Sequence, residues 1–179
     1  QGIDLLQGRF VDVEDRHQSM VAVCEQSWAM LSRQDQRIFT QLAVFQGGFT
    51  AEAAQAVAGA SPMLLAGLVD KSMLRRTESG SFQVHDVLRL FALEQSQSHA
   101  DEGQTVQQRH ARYYIDWLAE RETDLRQWNQ RETLQRIDLE LDNIVAAWTW
   151  TAQHQQWDRL EDAMQPLALF LSITDRSRL

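Results

Sequence analysis

The chain has 179 residues, 44% of them hydrophobic, and a formal net charge of −8. This is enough apolar material for one medium or two small packed domains, and it excludes a disordered tail. The acidic balance removes any bulk field drawing the chain towards nucleic acid or anionic membrane.

Two prolines and eight glycines favour helices over a strand-rich sandwich. A single cysteine, Cys24, excludes an internal disulfide and fits a reducing interior. The longest apolar run, residues 167–173, is far too short to span a bilayer. A cytoplasmic protein without membrane contact is therefore expected. Gln1 is not a natural start residue, and the sequence stops at Leu179 within an apolar helical pattern. Both ends are expected to be cut from a longer protein.

Residues 1–17 are mixed and charged and read as a connector. From Gln18 the spacing turns helical, with Met20, Cys24, Trp28 and Leu31 on one stripe. Ser32 and Asp35 have the spacing of a capping box for the next helix, which carries Ile38, Leu42 and Phe45 and ends at Gly47-Gly48. Thr50 caps a short alanine-rich helix ending at Gly59. Ser61-Pro62 starts another, with Leu64, Leu65, Leu68 and Val69. Residues 73–77 and 81–84 are short and extended, and Glu78-Ser79-Gly80 suits a tight turn between them. A further helix begins at Asp86, with Val87, Leu88, Leu90 and Phe91 facing inward.

Short helices, a two-stranded hairpin and a closing helix over residues 18–98 predict a winged-helix domain. The polar residues 96–106 read as a linker. Three longer helices follow in 105–179, marked by Tyr113, Tyr114, Trp117 and Leu118, by Leu134, Ile137, Leu141, Ile144, Val145 and Trp148, and by Leu160, Met164, Leu167 and Leu171. The fold class is mainly α: a winged helix followed by antiparallel helices of an α-solenoid. Trp28, Phe39, Phe45, Tyr113, Trp117 and Trp148 lie at helical spacing and are assigned to the core. Phe170 and Leu171 are expected at an exposed end, where they favour self-association.

No catalytic constellation is visible. The single lysine, Lys71, precedes Ser72 but follows Asp70, where a phosphate-binding loop needs glycine. His17, His85, His99, His110 and His154 are scattered, and none stands at metal-ligand spacing to Cys24. Glu140 and Asp142 are two residues apart on a helix, so they point to different faces and read as a solvated surface. Neither enzyme activity nor a bound metal or cofactor is expected of this chain.

Ordered short motifs carry a resemblance. DRHQSM at 15–20, Ser27-Trp28, Leu31-Ser32, LAVFQGGFT at 42–50, LVDKSML at 68–74 and VHDVLR at 84–89 resemble the segment that follows the ATPase core in bacterial STAND-class signalling NTPases, relatives of the NB-ARC switch proteins. Many of those are transcriptional regulators. HARYY at 110–114 and ELDNI at 140–144 resemble the junction into that family's tetratricopeptide-like sensor array. The resemblance implies that residues 1–17 lead from an upstream nucleotide-binding domain of the same chain, and that further helical repeats follow. It also implies a switch: the winged helix closes on an ADP-bound core, and exchange for ATP releases it. Val84-His85-Asp86 matches the family's Met-His-Asp motif with valine first, which implies a contact from His85 to the ADP β-phosphate.

The residues make that role physically reasonable. A helix N-terminus presents free N–H groups and a partial positive charge to a phosphate. An imidazole there adds a donor, and Asp86 is expected to cap the helix. The competing functions are DNA binding through Lys71, Arg75, Arg76 and Arg89 near the hairpin, and peptide binding by the helices beyond residue 105. Asp70, Glu78 and Asp86 sit among those cations, so nucleic acid is not the expected partner of this segment.

Overall fold

The computed structural model describes residues 25–96, 100–127 and 129–174. The connector 1–17, Met20 and Cys24 lie outside the described residues.

Residues 25–29 form the described part of helix α1. Then follow α2 (Arg33–Leu42), β1 (Gly48–Phe49), α3 (Ala51–Ala58), α4 (Pro62–Asp70), β2 (Leu74–Arg76), β3 (Phe82–Val84) and α5 (Asp86–Ser96). The start signals act as their chemistry dictates. Ser32, Thr50 and Ser61 each accept a backbone N–H from three residues on, at 3.1, 3.1 and 3.2 Å. Gly80 closes the hairpin at φ +84°, a conformation that favours glycine.

The sheet has three strands, in the order β1-β3-β2, all antiparallel. The hairpin read from the sequence is present, but Gly48-Phe49 adds a third strand beyond it. Gly48 pairs with Gln83 and Phe49 with Phe82, while Leu74, Arg75 and Arg76 pair with Val84, Gln83 and Phe82. Side chains alternate across a strand, so Leu74, Val84, Phe49 and Phe82 share the core face with Arg76, and Arg75 and Gln83 take the other. Helix, strand, two helices and two strands in this order make a winged helix.

Its core is built from Phe39, Leu42, Phe45, Phe49, Leu65, Leu68 and Met73, all almost fully buried. Each such side chain removed from water contributes about 1.5–3 kcal/mol. Phe45 stacks on Phe49 at 4.3 Å, and Trp28 sets its edge against Phe39 and Phe91.

The second half holds α6 (Ala100–Ala119), α7 (Glu122–Arg126), α8 (Gln130–Leu139), α9 (Leu141–Gln153) and α10 (Trp157–Ile173). Helices α6, α9 and α10 pack on one another, and α6 also packs on α3. The buried apolar residues of both halves form one continuous cluster.

Several expectations change here, among them Leu90, which was expected to face inward and is exposed. The polar stretch read as a linker is helical from Ala100, because Val106 is buried and Glu102 reaches Arg37 of α2 at 2.9 Å. The helix expected across residues 134–148 breaks at Glu140, which ends α8 and begins α9. Phe170 is buried against the core rather than exposed, so it offers no surface for self-association. Among the described residues no single helix is long and apolar enough to cross a membrane.

Candidate functional site

The three places singled out by the sequence differ sharply in the structure. His85 stands at the corner between β3 and α5 and is exposed. Its carbonyl accepts the Arg89 N–H at 2.9 Å, and its Nδ1 accepts the Val87 N–H in a long contact of 3.4 Å. The helix cap is therefore His85. Asp86, expected to be the cap, is the first helical residue, with its carboxylate in the first turn at the positive end of the helix dipole. Because Nδ1 accepts, the proton of the neutral ring sits on Nε2. The imidazole thus has a free donor to offer beyond its own helix.

The basic residues near the hairpin do not gather into one patch. Arg75 and Arg76 are both exposed but project from opposite faces of β2. Arg75 is held by Gln83 Oε1 at 2.9 and 2.5 Å. Arg76 lies 5.9 Å above the Phe82 ring and lines a cleft of about 530 Å³ between α4 and the hairpin, where Glu52 and Asp70 also stand. Lys71 closes α4, and Arg89 is half-buried on α5.

Helix α3, the three-residue turn 59–61 and α4 have the form of a helix-turn-helix, with α4 where a reading helix would lie. Its exposed side chains are Pro62, Met63, Ala66 and Asp70. Met63 is 85% exposed, and none of the four is a cation. A surface of this kind does not neutralise phosphates.

A third constellation is interior, although its Glu140 was read from the sequence as solvated surface. Glu140 is only 6% exposed, and Asn143, one helical turn on, is wholly buried. The Tyr114 hydroxyl donates to Glu140 Oε2 at 2.8 Å, and Asn143 Nδ2 donates to the same oxygen at 3.2 Å. Asn143 Nδ2 also donates to the Gly48 carbonyl at 2.7 Å, and Asn143 Oδ1 accepts the Gln46 N–H at 2.7 Å. His110 Nε2 lies 3.2 Å from the same Oδ1 and so acts as donor. The His110 and Tyr114 rings pack edge-on to Phe45, at 5.4 and 6.2 Å.

Burial governs the protonation of these groups. It lowers the His110 pKa to about 4, against a smaller opposing effect of the bond to Asn143. It raises that of Glu140, which the bonds from Tyr114 and Asn143 partly offset. Burial and the neighbouring Glu140 carboxylate drive the Tyr114 phenol well above its ordinary range. The site therefore holds a neutral histidine, a neutral tyrosine and a Glu140 carboxyl group, whose proton is held more tightly than usual, accepting from two donors. It has the chemistry of a structural joint, with every buried polar side-chain atom among the described residues partnered.

Sequence reasoning assigned none of these residues to a site, although HARYY, ELDNI and LAVFQGGFT all lie in the motifs that drew attention. The available signal was polarity on apolar stripes: His110 and Tyr114 are four apart, and Glu140 and Asn143 three apart, so each pair shares a helix face with core residues.

No family model and no solved structure matches the chain. Over 177 residues it is 30% identical to the "Putative HTH-type transcriptional regulator Rv0890c" of Mycobacterium tuberculosis (strain ATCC 25618 / H37Rv) and to the "Putative HTH-type transcriptional regulator Mb0914c" of Mycobacterium bovis (strain ATCC BAA-935 / AF2122/97). Each alignment covers 91% of this chain and 20% of the relative, so the chain spans about a fifth of the length of the curated relatives it matches. It is a mainly helical winged-helix chain, similar to a segment of proteins named as transcriptional regulators.

Proposed function

We propose that this chain is a non-catalytic regulatory segment of a larger cytoplasmic transcriptional regulator, in which the winged helix docks on a nucleotide-binding domain of the same protein. The observation that carries this reading is the exposed surface of α4, which is apolar and acidic where a DNA reader needs cations. Such a surface suits contact with protein. The ordered resemblance to STAND-class NTPases supplies the nucleotide, and the exposed His85 corner, with a free Nε2–H beside a helix N-terminus, has the chemistry to meet an ADP phosphate. Closure on ADP then holds the helical region in its resting position.

The test is ADP release from the whole regulator. Loss of one phosphate contact worth about 1.4 kcal/mol shifts a two-state equilibrium tenfold. His85→Ala is therefore expected to speed ADP release about tenfold. An unchanged release rate contradicts the role assigned to His85.

A second reading is DNA binding by the winged helix. It is favoured by the helix-turn-helix form of α3 and α4 and by the HTH-type description of the relatives. Either Arg75 or Arg76 of the hairpin would then contact a phosphate, and replacing that residue by alanine would lower the salt dependence of binding by about one ion.

A further inference from the structure

Strand β1 lies at one edge of the three-stranded sheet, so one side of its backbone has no strand partner. Two groups on that stretch are satisfied by a single side chain from the other half of the molecule. Asn143 Oδ1 takes the Gln46 N–H and Asn143 Nδ2 gives to the Gly48 carbonyl, both at 2.7 Å. Positions 46 and 48 flank Gly47, so one side chain clamps the turn that leads into β1. A carboxamide carries an acceptor and a donor on one carbon, so Asn143 satisfies both backbone groups at once.

The surroundings hold that amide in place. Glu140 Oε2 fixes Nδ2 from one side, and Tyr114 fixes Glu140. His110 fixes Oδ1. Between the paired groups, Gly47 sits at φ +75°, and a Cβ there would lie 3.1 Å from Asp142 Oδ2. The turn thus lies beside the Asp142 side chain in the first turn of α9.

We infer that Asn143 is a positioning residue: its side-chain amide caps the open edge of the winged-helix sheet and fixes the orientation of that module on α6 and α9. The winged helix and the helical region consequently turn as one body, and a displacement of the hairpin is delivered to α9 through this joint. The inference concerns the joint alone and holds whichever partner the winged helix meets.

The test uses the 179-residue chain. Spin labels at Ser79→Cys on the hairpin and Gln165→Cys on α10, with Cys24→Ser, report the distance between the halves. Amide hydrogen exchange reports the Gln46 N–H. In the parent a single narrow distance distribution and a protected Gln46 amide are expected. Asn143→Leu keeps the branching and the number of heavy atoms and removes every hydrogen bond of the amide. It should broaden the distribution and speed Gln46 exchange tenfold or more, while amides within α2 and α10 keep their protection. Asn143→Ser, too short to reach both groups, should do the same and serves if the leucine variant does not fold. An unchanged distribution and unchanged Gln46 protection in a folded variant would overturn the inference. So would failure of both variants to fold, since the role assigned is orientation and not the folding of either half.

Discussion

Replacing Tyr114 by phenylalanine probes the joint at a single bond. The ring remains packed on Phe45 and His110, so no cavity opens. What is lost is the 2.8 Å donation to Glu140 Oε2. A hydrogen bond to a charged group contributes about 1.5–3 kcal/mol. Asn143 Nδ2 still donates to the same oxygen at 3.2 Å, so the carboxylate is not orphaned and a loss of about 2 kcal/mol is expected at pH 7. For a chain of this size that lowers Tm by about 4–8 °C.

The loss depends on pH in a defined direction. Burial raises the pKa of Glu140 in the folded state, so its contribution to stability is present at low pH and diminishes as pH rises through that raised value. The Tyr114 hydroxyl moderates this decline by supporting the ionised form. Its removal should therefore cost more at pH 7 than at pH 4, where a neutral carboxyl accepts a weaker bond. Urea unfolding of parent and variant at the two pH values measures both quantities. An unchanged midpoint at pH 7, or a larger loss at pH 4, would contradict the role given to the Tyr114 hydroxyl.

Glu140→Gln retains an acceptor for Tyr114 and Asn143 and removes the buried charge. Its stability at pH 7 should lie within about 1 kcal/mol of the parent, with a flatter profile between pH 4 and 7 in thermal unfolding. His110 has the opposite sign, because its pKa falls from 6.5 unfolded to about 4 folded. Its contribution is complete above pH 6.5 and is lost as pH falls towards 4, on the order of 2–4 kcal/mol. In His110→Gln that part of the acid decline should disappear from the pH dependence of urea unfolding.

The winged helix was legible because its signals are local. Ser32, Thr50 and Ser61 mark helix starts through bonds to residues three positions away, and Gly80 marks the hairpin through its own backbone. Strand β1 was not legible. Two residues carry no periodicity, and their strand partners lie more than thirty positions on, at Phe82 and Gln83. The break at Glu140 was hidden because the apolar stripe runs through it from Ile137 to Ile144. Glu140 was read as surface, with Asp142, because charged side chains usually are, and Asn143 was assigned no role. The burial of Glu140 and Asn143 depends on Tyr114, Gly48 and Gln46 supplying partners from distant parts of the chain. Residues 100–106 looked like a linker because the burial of Val106 and the pairing of Glu102 with Arg37 are tertiary facts. For the basic cluster, sequence proximity misled in the other direction. Adjacent positions on β2 send Arg75 and Arg76 to opposite faces.

On the proposed function this winged helix meets protein and not DNA. Titration of the 179-residue chain against random-sequence duplex DNA, with selection and sequencing of whatever is retained at about 0.15 M salt, tests it most directly. The expected result is no enriched sequence and no complex at micromolar protein. An enriched motif bound by the parent and lost in an Arg75→Ala, Arg76→Ala variant would contradict the claim.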